Sequence, residues 1–122
     1  VHIGLFCSTP MVALSRNVGA KHAMEMLLTG DMVSAERAAE IGLVNSVIDE
    51  TNLRDHVFKI AKKITSKSAV TLATGKAAFY KQRELSLADA YDYAARVMVE
   101  NMLHQDAIEG VAAFIEKRNP KW

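Results

Sequence analysis

Few side chains in this sequence combine a reactive group with a spacing that favours chemistry. The four histidines, His2, His22, His56 and His104, lie far apart and lack the close pairs that metal sites usually display. Surface or partly buried histidines explain this pattern better than a metal site does. The sequence therefore predicts no metal ligand.

Nucleophilic and acid–base chemistry has equally little support. Cys7 precedes Ser8 inside an apolar run, and no partner base can be argued for it, so ordinary packing is the simpler interpretation. Glu36 and Glu40 share one face of a predicted helix, as many solvated glutamates do. The six glycines form no phosphate-binding loop, because most of them stand where helices are predicted to end. The residues alone identify no catalytic centre.

Composition sets broad limits on the protein class. Half of the 122 residues are apolar, which is typical of a globular chain with a core rather than a disordered one. Fifteen basic against fourteen acidic residues argue against nucleic acid or an anionic membrane as the main partner. No apolar run approaches the roughly 18 residues that a membrane span needs. A single cysteine excludes an internal disulfide and suits a reducing compartment.

The central stretch contains two helix ends and a predicted strand. Gly30 can end one helix in the left-handed conformation, and Ser34 can cap the next helix, Ala35 to Ile41. Gly42 then ends that helix. The following run, Leu43 to Ile48, is apolar at both ends and rich in β-branched residues, so it predicts a short strand.

Apolar residues at helical spacing predict most of the remaining chain to be α-helical. We expect Thr9 and Asp106 to cap the first and the last of these helices. A strand needs a partner, and only the run from Val1 to Phe6 offers one, so we expect the main sheet to belong to a larger domain than this sequence. The further helices are predicted over Met11 to Asn17, Lys21 to Thr29, Leu53 to Ile64, Val70 to Gln82, Leu87 to Leu103 and Ile108 to Arg118.

Two separated motifs resemble the enoyl-CoA hydratase/isomerase (crotonase) superfamily. The stretch AMEMLLTGDMVSAERAAEIGLVNSVI resembles the segment that follows that family's active-site strands. The ending resembles the family's tail, D-x-x-E-G-x-x-A-F-x-E-K-R-x-P-x-[FW]. It matches at Asp106, Glu109, Gly110, Ala113, Phe114, Glu116, Lys117, Arg118, Pro120 and Trp122. The resemblance covers nearly the whole chain.

The resemblance implies an α/β fold, of which this chain would be the C-terminal, mostly helical portion with one or two short strands. The crotonase fold repeats ββα units around two perpendicular sheets. Residues 1–50 would be the end of that core, and residues 51–122 a helical oligomerisation region. The implied assembly is a homotrimer or a dimer of trimers.

The activity implied by the resemblance is chemistry on acyl-CoA thioesters. Two backbone N–H groups stabilise a thioester enolate, at about 3 to 4 kcal/mol per donor in comparable oxyanion holes, and in hydratases two glutamates handle water and the α-proton. These groups would all lie upstream of Val1, so no catalytic residue is assigned to this chain. No metal or cofactor is implied beyond the CoA thioester as substrate. The implied location is cytoplasmic in bacteria and mitochondrial in eukaryotes. The alternative is a non-catalytic protein for CoA-thioester binding or oligomerisation.

The tail offers two candidate binding residues by resemblance. Phe114 and Lys117 match positions that approach the CoA of a neighbouring subunit, the ring against the ligand and the ammonium near phosphate. For Phe114 we favour the other interpretation, packing on the apolar helix face with Val111. For Lys117 both interpretations stay open, because Lys117 and Arg118 can also complement the helix C-terminus.

The N-terminal run offers a candidate wall for the acyl pocket. Leu5, Phe6 and Cys7 would follow the active-site strand directly, with plain core packing as the alternative. Many hydratases have a P-G-x-G-G turn where this chain reads CSTPM, one residue shorter. That bulkier turn argues against true hydratase activity, although not against CoA-thioester binding.

Overall fold

Seven α-helices make up the regular structure of the chain. The computed structural model describes all residues from 1 to 122. In chain order the helices are α1 (Pro10–Ser15), α2 (Ala20–Thr29), α3 (Ala35–Glu40), α4 (Glu50–Thr65), α5 (Ala69–Gln82), α6 (Leu87–Met102) and α7 (Gln105–Ile115). All seven predicted helices are present, with ends that differ from the prediction by up to three residues. None of them has both the length and the apolar character that crossing a membrane requires.

The helix ends in the central stretch are those predicted from the sequence. Ser34 caps α3, where its Oγ accepts a hydrogen bond from the Arg37 backbone N–H at 3.1 Å. Gly30 and Gly42 end α2 and α3 in the left-handed region, at φ 70° and 80°. Glycine adopts this conformation without steric cost, so the two helices stop where the sequence indicates.

The predicted strand at Leu43 to Ile48 is wrong for this chain, and so is the strand partner at Val1 to Phe6. Both segments are irregular. The N–H groups of Leu43 and Val44 turn back to the Ala38 carbonyl at the end of α3, at 2.8 and 3.3 Å. An extended segment forms a ladder only beside a second strand, and the chain contains none.

Two predicted caps are also wrong. Thr9 already has helical backbone angles and its side chain accepts no cap hydrogen bond, because the Met11 N–H bonds to the Cys7 carbonyl instead. At α7 the capping residue is His104, whose Nδ1 accepts from the Asp106 N–H at 3.2 Å. Asp106 therefore lies inside the first turn rather than before it.

The chain divides into two compact units, residues 1–54 and residues 55–122. In the first unit α1 packs against α2. In the second unit α5 packs along α6, and α7 packs against both. Side chains from α7 and from the residues after it provide most of the polar contacts of the second unit, described below.

The chain buries very little apolar surface. Its buried apolar residues are Val18, Ala23, Ala38 and Ala113, and no large side chain is fully buried. The accessible surface is 10154 Å². A compact monomer of this mass would expose about 6,500 Å², and two compact domains of half that mass about 7,800 Å² together. Large apolar side chains therefore remain open on the helices.

Candidate functional site

Helix α7 has two sides of opposite character. Ala113, on the inner side, is 1% exposed. The outer side is apolar but open, and it carries Ile108 (53% exposed), Val111 (61%), Phe114 (85%) and Ile115 (72%). Soluble helices usually place polar residues on the open side. The outer face of α7, defined by these four residues, is thus an apolar surface without a covering element in this chain.

Asp106 joins the start of α7 to the start of α5. The Ser68 hydroxyl donates to Asp106 Oδ2 at 2.5 Å, and Ser68 is only 3% exposed. The same Ser68 oxygen accepts from the Thr71 N–H at 3.1 Å and so caps α5. A buried hydroxyl with both bonds made carries no desolvation penalty.

Glu109 holds the segment that follows α7. Arg118 donates to both carboxylate oxygens of Glu109, at 2.5 and 2.9 Å, and the Lys121 backbone N–H donates at 2.8 Å. These bonds to Arg118 and then to Lys121 lower the pKa of Glu109 from 4.5 to about 2. The paired carboxylates raise the pKa of Arg118. The Glu109 carboxylate is therefore charged throughout the physiological pH range.

Trp122 closes the tail against α7. Its Nε1–H donates to the Ser66 carbonyl at 2.9 Å. A Cβ at Gly110 would lie 3.4 Å from the Trp122 ring, so the ring rests directly over this glycine. The missing side chain at residue 110 leaves the space that the ring covers.

Lys117 has a left-handed backbone, at φ 54°, and it is the only residue other than glycine with positive φ. Its N–H donates to the Phe114 carbonyl at 3.3 Å, and the Arg118 N–H donates to the Ala113 carbonyl at 3.0 Å. This pair of bonds is the Schellman motif, which normally has glycine at the left-handed position. A lysine is strained there by roughly 1 to 2 kcal/mol.

The tail motif separates into two groups of residues. Pro120, which is half-buried, lies between the contacts of Arg118 and Trp122. Apart from it, one group makes contacts inside the chain; it comprises Asp106, Glu109, Gly110, Ala113, Glu116, Arg118 and Trp122. Phe114 and Lys117 form the other group. Both are exposed, and Lys117 takes part in no ion pair. Phe114 lies beside Val111 on the apolar face of α7, and both side chains are exposed in this chain.

The other predicted site residues lie in the first unit. Leu5 and Phe6 are 66% and 43% exposed, and the Cys7 thiol is exposed and free. Core packing, the alternative for these residues, is absent within the chain. Leu5, Phe6 and Cys7 are consecutive residues of the first unit, whereas Phe114 and Lys117 lie in the second unit.

The first unit also contains a cavity that the sequence did not predict. It has a volume of about 330 Å³ and lies between α2, α3 and the loop that joins them. Its lining mixes charged and apolar residues: His22, Glu25, Met26, Thr29, Asp31, Met32, Val33, Ser34, Arg37 and Ile41. No group of three or more possible metal ligands is present anywhere in the chain.

Sequence reasoning missed Glu109 and Arg118 as a pair. The two residues are nine positions apart, which exceeds the spacing at which helical side chains meet. Only the chain reversal at Lys117 brings them together. Both residues stand in the tail motif, but their contact depends on a left-handed lysine that sequence rules disfavour.

Comparison with known proteins places these features in a family. The family model described as enoyl-CoA hydratase/isomerase matches residues 1–122. The mitochondrial enoyl-CoA hydratase domain-containing protein 3 of Mus musculus is 50% identical over all of this chain, which covers 41% of that protein. Carnitinyl-CoA dehydratase of Escherichia coli is 34% identical over 102 residues, 80% of this chain and 39% of that protein.

A solved structure gives the same result for the fold. Enoyl-CoA hydratase from Mycobacterium smegmatis superposes with a TM-score of 0.95 at 50% identity, over 99% of this chain and 47% of that one. This similarity confirms the fold predicted from the two motifs. The chain spans less than half the length of these relatives.

Proposed function

Because this chain belongs to the enoyl-CoA hydratase/isomerase family, we propose that it supplies the CoA-binding and oligomer-forming part of a protein that acts on acyl-CoA thioesters. The names of its relatives support the substrate class, since the Escherichia coli relative is a carnitinyl-CoA dehydratase. The reaction in this proposal is stabilisation of a thioester enolate by an oxyanion hole. No residue between 1 and 122 is assigned to that step.

The exposure of Phe114 and Lys117 is the observation that carries the proposal. Both residues stand in the tail motif, yet the side chain of Phe114 is open and that of Lys117 is exposed and forms no ion pair. An aromatic ring that is 85% exposed gains free energy only when something outside the chain covers it. The Lys117 ammonium, three residues further on and without an ion pair, is suited to a phosphate. CoA carries both kinds of group, an aromatic base and phosphates.

The outer face of α7 supports a second copy of the chain as the element that covers it. In the proposal, α7 packs on a neighbouring subunit and presents Phe114 and Lys117 to the CoA bound there. The assembly is a homotrimer or a dimer of trimers. Burial of the four apolar side chains would drive the association.

In the same proposal, the cellular compartment depends on the organism from which the protein comes. The relative from Mus musculus is named mitochondrial. We propose a mitochondrial location for a eukaryotic source and a cytoplasmic one for a bacterial source.

The bulky turn at residues 7–11 favours a second candidate function. The sequence at these positions is CSTPM, where many hydratases have a glycine-rich turn. Helix α1 begins within it, at Pro10. A protein with this turn can bind CoA thioesters without hydrating them. Turnover of an enoyl-CoA by the purified full-length protein distinguishes the two candidates, since the binding protein would bind the thioester and leave it unchanged.

Lys117→Ala in the full-length protein tests the binding role. We expect acyl-CoA affinity to fall about 3- to 10-fold at low salt, with a flatter dependence on salt, because one phosphate contact is lost. Lys63→Ala is the matched control, as it removes the same charge from the exposed end of α4. Equal affinities of the Lys117→Ala variant and the parent protein, at both low and high salt, would refute the role of Lys117.

A further inference from the structure

The chain reverses at Lys117 against the intrinsic preference of a lysine. Its φ of 54° is a region that glycine enters freely and other L-residues enter rarely. The same reversal with glycine would make both Schellman hydrogen bonds and carry no strain. A strained residue persists where the surrounding structure over-determines it, and such residues cluster at binding sites.

The residues after Lys117 show what determines the conformation. Besides the bonds of Arg118 to the end of the helix, to the Ala113 carbonyl and to Glu116, the segment has three attachments: Arg118 to Glu109, the Lys121 N–H to Glu109, and Trp122 to Ser66. Glu109 is the acceptor in two of the three attachments. It lies two turns before the end of α7, so the chain reaches it only by folding back along the helix.

We propose that Glu109 is a positioning residue for Lys117: by holding Arg118 and the Lys121 N–H, it forces the left-handed turn that sets the direction of the Lys117 side chain. This inference rests on the proposed function, in which the Lys117 ammonium meets a CoA phosphate. In this inference Glu109 acts on Lys117 through Arg118 and the Lys121 N–H. The pKa of Glu109 is about 2, so its carboxylate stays charged at physiological pH. Its bonds to Arg118 and to the Lys121 N–H therefore do not change over that range.

Glu116 offers a matched comparison within the same tail. It also pairs with Arg118, through Nε at 2.5 Å, but it is the more exposed of the two carboxylates and accepts nothing from Lys121. Replacing Glu116 with glutamine therefore removes the same charge and affects the same arginine, yet leaves the fold-back in place.

A double-mutant cycle in the full-length protein tests the coupling, with acyl-CoA affinity at low salt as the readout. Glu109→Gln should weaken binding about 3-fold or more, and Glu116→Gln should leave it within about 1.5-fold. In a Lys117→Ala background, Glu109→Gln should have no further effect, because the two residues act through one contact. The same loss in both backgrounds, or no loss from Glu109→Gln in the parent, overturns the inference.

A second double-mutant cycle tests the conformation of the turn without any ligand, with the melting temperature as the readout. Lys117→Gly should raise the melting temperature of the parent by about 2 to 4 °C, because glycine removes the strain. In a Glu109→Gln background this gain should vanish, since residue 117 is then free to relax. An equal gain in both backgrounds overturns the inference even if Lys117→Ala weakens binding. A third outcome separates the two claims: Lys117→Ala leaves acyl-CoA binding unchanged, and the gain in melting temperature from Lys117→Gly vanishes in the Glu109→Gln background. Glu109 then positions the turn, and the proposed contact of Lys117 with CoA is refuted.

Discussion

The Ser68 hydroxyl donates to the Asp106 carboxylate at 2.5 Å, and this bond joins the N-termini of α5 and α7 across 38 positions of sequence. Ser68 is the buried polar residue of the chain, at 3% exposure. One hydroxyl thus caps a helix and links it to another. The Ser68–Asp106 bond and the tail contacts of Glu109 and Trp122 hold α7 in place in the second unit, although one apolar side of the helix is open.

Ser68→Ala is expected to lower the free energy of unfolding of the full-length protein by about 2 kcal/mol, because a cap is lost together with a bond from a buried hydroxyl to the carboxylate of another helix. Ser86→Ala is the control, since the Ser86 hydroxyl also caps its helix and donates to a carboxylate, that of Asp89 at 2.7 Å, but Ser86 is exposed and Asp89 lies in the first turn of the same helix. It should cost about 1 kcal/mol. Chemical denaturation measures both values, and an equal loss in the two variants would contradict the role of the buried bond.

Trp122 should respond to the size of residue 110. Gly110→Ala places a Cβ 3.4 Å from the ring, which is close to ordinary contact, and alanine favours the helix by about 1 kcal/mol, so this variant should be no less stable. Gly110→Leu should displace the ring. Trp122 is the only tryptophan among residues 1–122, so the difference in fluorescence between each variant and the parent reports the displacement of its ring. A red shift is expected for leucine and none for alanine.

Acid should release the tail at a pH set by Glu109. The pKa of this carboxyl is about 2 in the folded chain and 4.5 in its ordinary state. Its contribution to stability is therefore complete above about pH 4.5 and is lost as the pH falls toward 2. Trp122 fluorescence should change over this range in the parent protein. The change should be absent or smaller in Glu109→Gln, and identical acid curves would exclude Glu109 as its source.

Residues 1–122 expressed alone should not unfold cooperatively. The open apolar side chains and the small buried set predict a chain that aggregates or binds the dye ANS, with helical circular dichroism and no sharp thermal transition. The full-length protein is the control. A monomer with a cooperative melt would show instead that the helices form an independent domain.

Cys7 offers a test of the predicted acyl pocket. The thiol is exposed in this chain, so a maleimide should reach it in the full-length protein without ligand. If Leu5, Phe6 and Cys7 line the pocket, a long-chain acyl-CoA should slow the labelling while CoA without an acyl group should not. Equal protection by both ligands, or by neither, would place these residues away from the acyl chain.

Local chemistry allowed the helices to be predicted, because their signals lie within a few residues. Gly30, Ser34 and Gly42 acted as expected, since a cap or a left-handed end depends only on its own turn. The predicted strand at Leu43 to Ile48 was wrong because a strand depends on a distant partner. Its β-branched composition only favours an extended backbone, and residues 1–122 contain no second strand to pair with it.

The candidate site was predicted only in part. The family motif indicated Phe114 and Lys117 but could not separate them from residues such as Glu109, which the structure shows to be a local anchor. His104 was missed as a cap, because histidine is not among the preferred capping residues. The left-handed Lys117 was missed since propensity rules assign that position to glycine.

The small size of the buried residues affects how sequence variants should be judged. Three of the four buried apolar positions are alanines, at Ala23, Ala38 and Ala113. A change from alanine to valine counts as conservative in most substitution scores, yet at these buried positions two more methyl groups would overpack the surroundings. A valine at residue 113 should therefore lower the stability of the protein more than the exchange of one large aliphatic residue for another on the open helix faces.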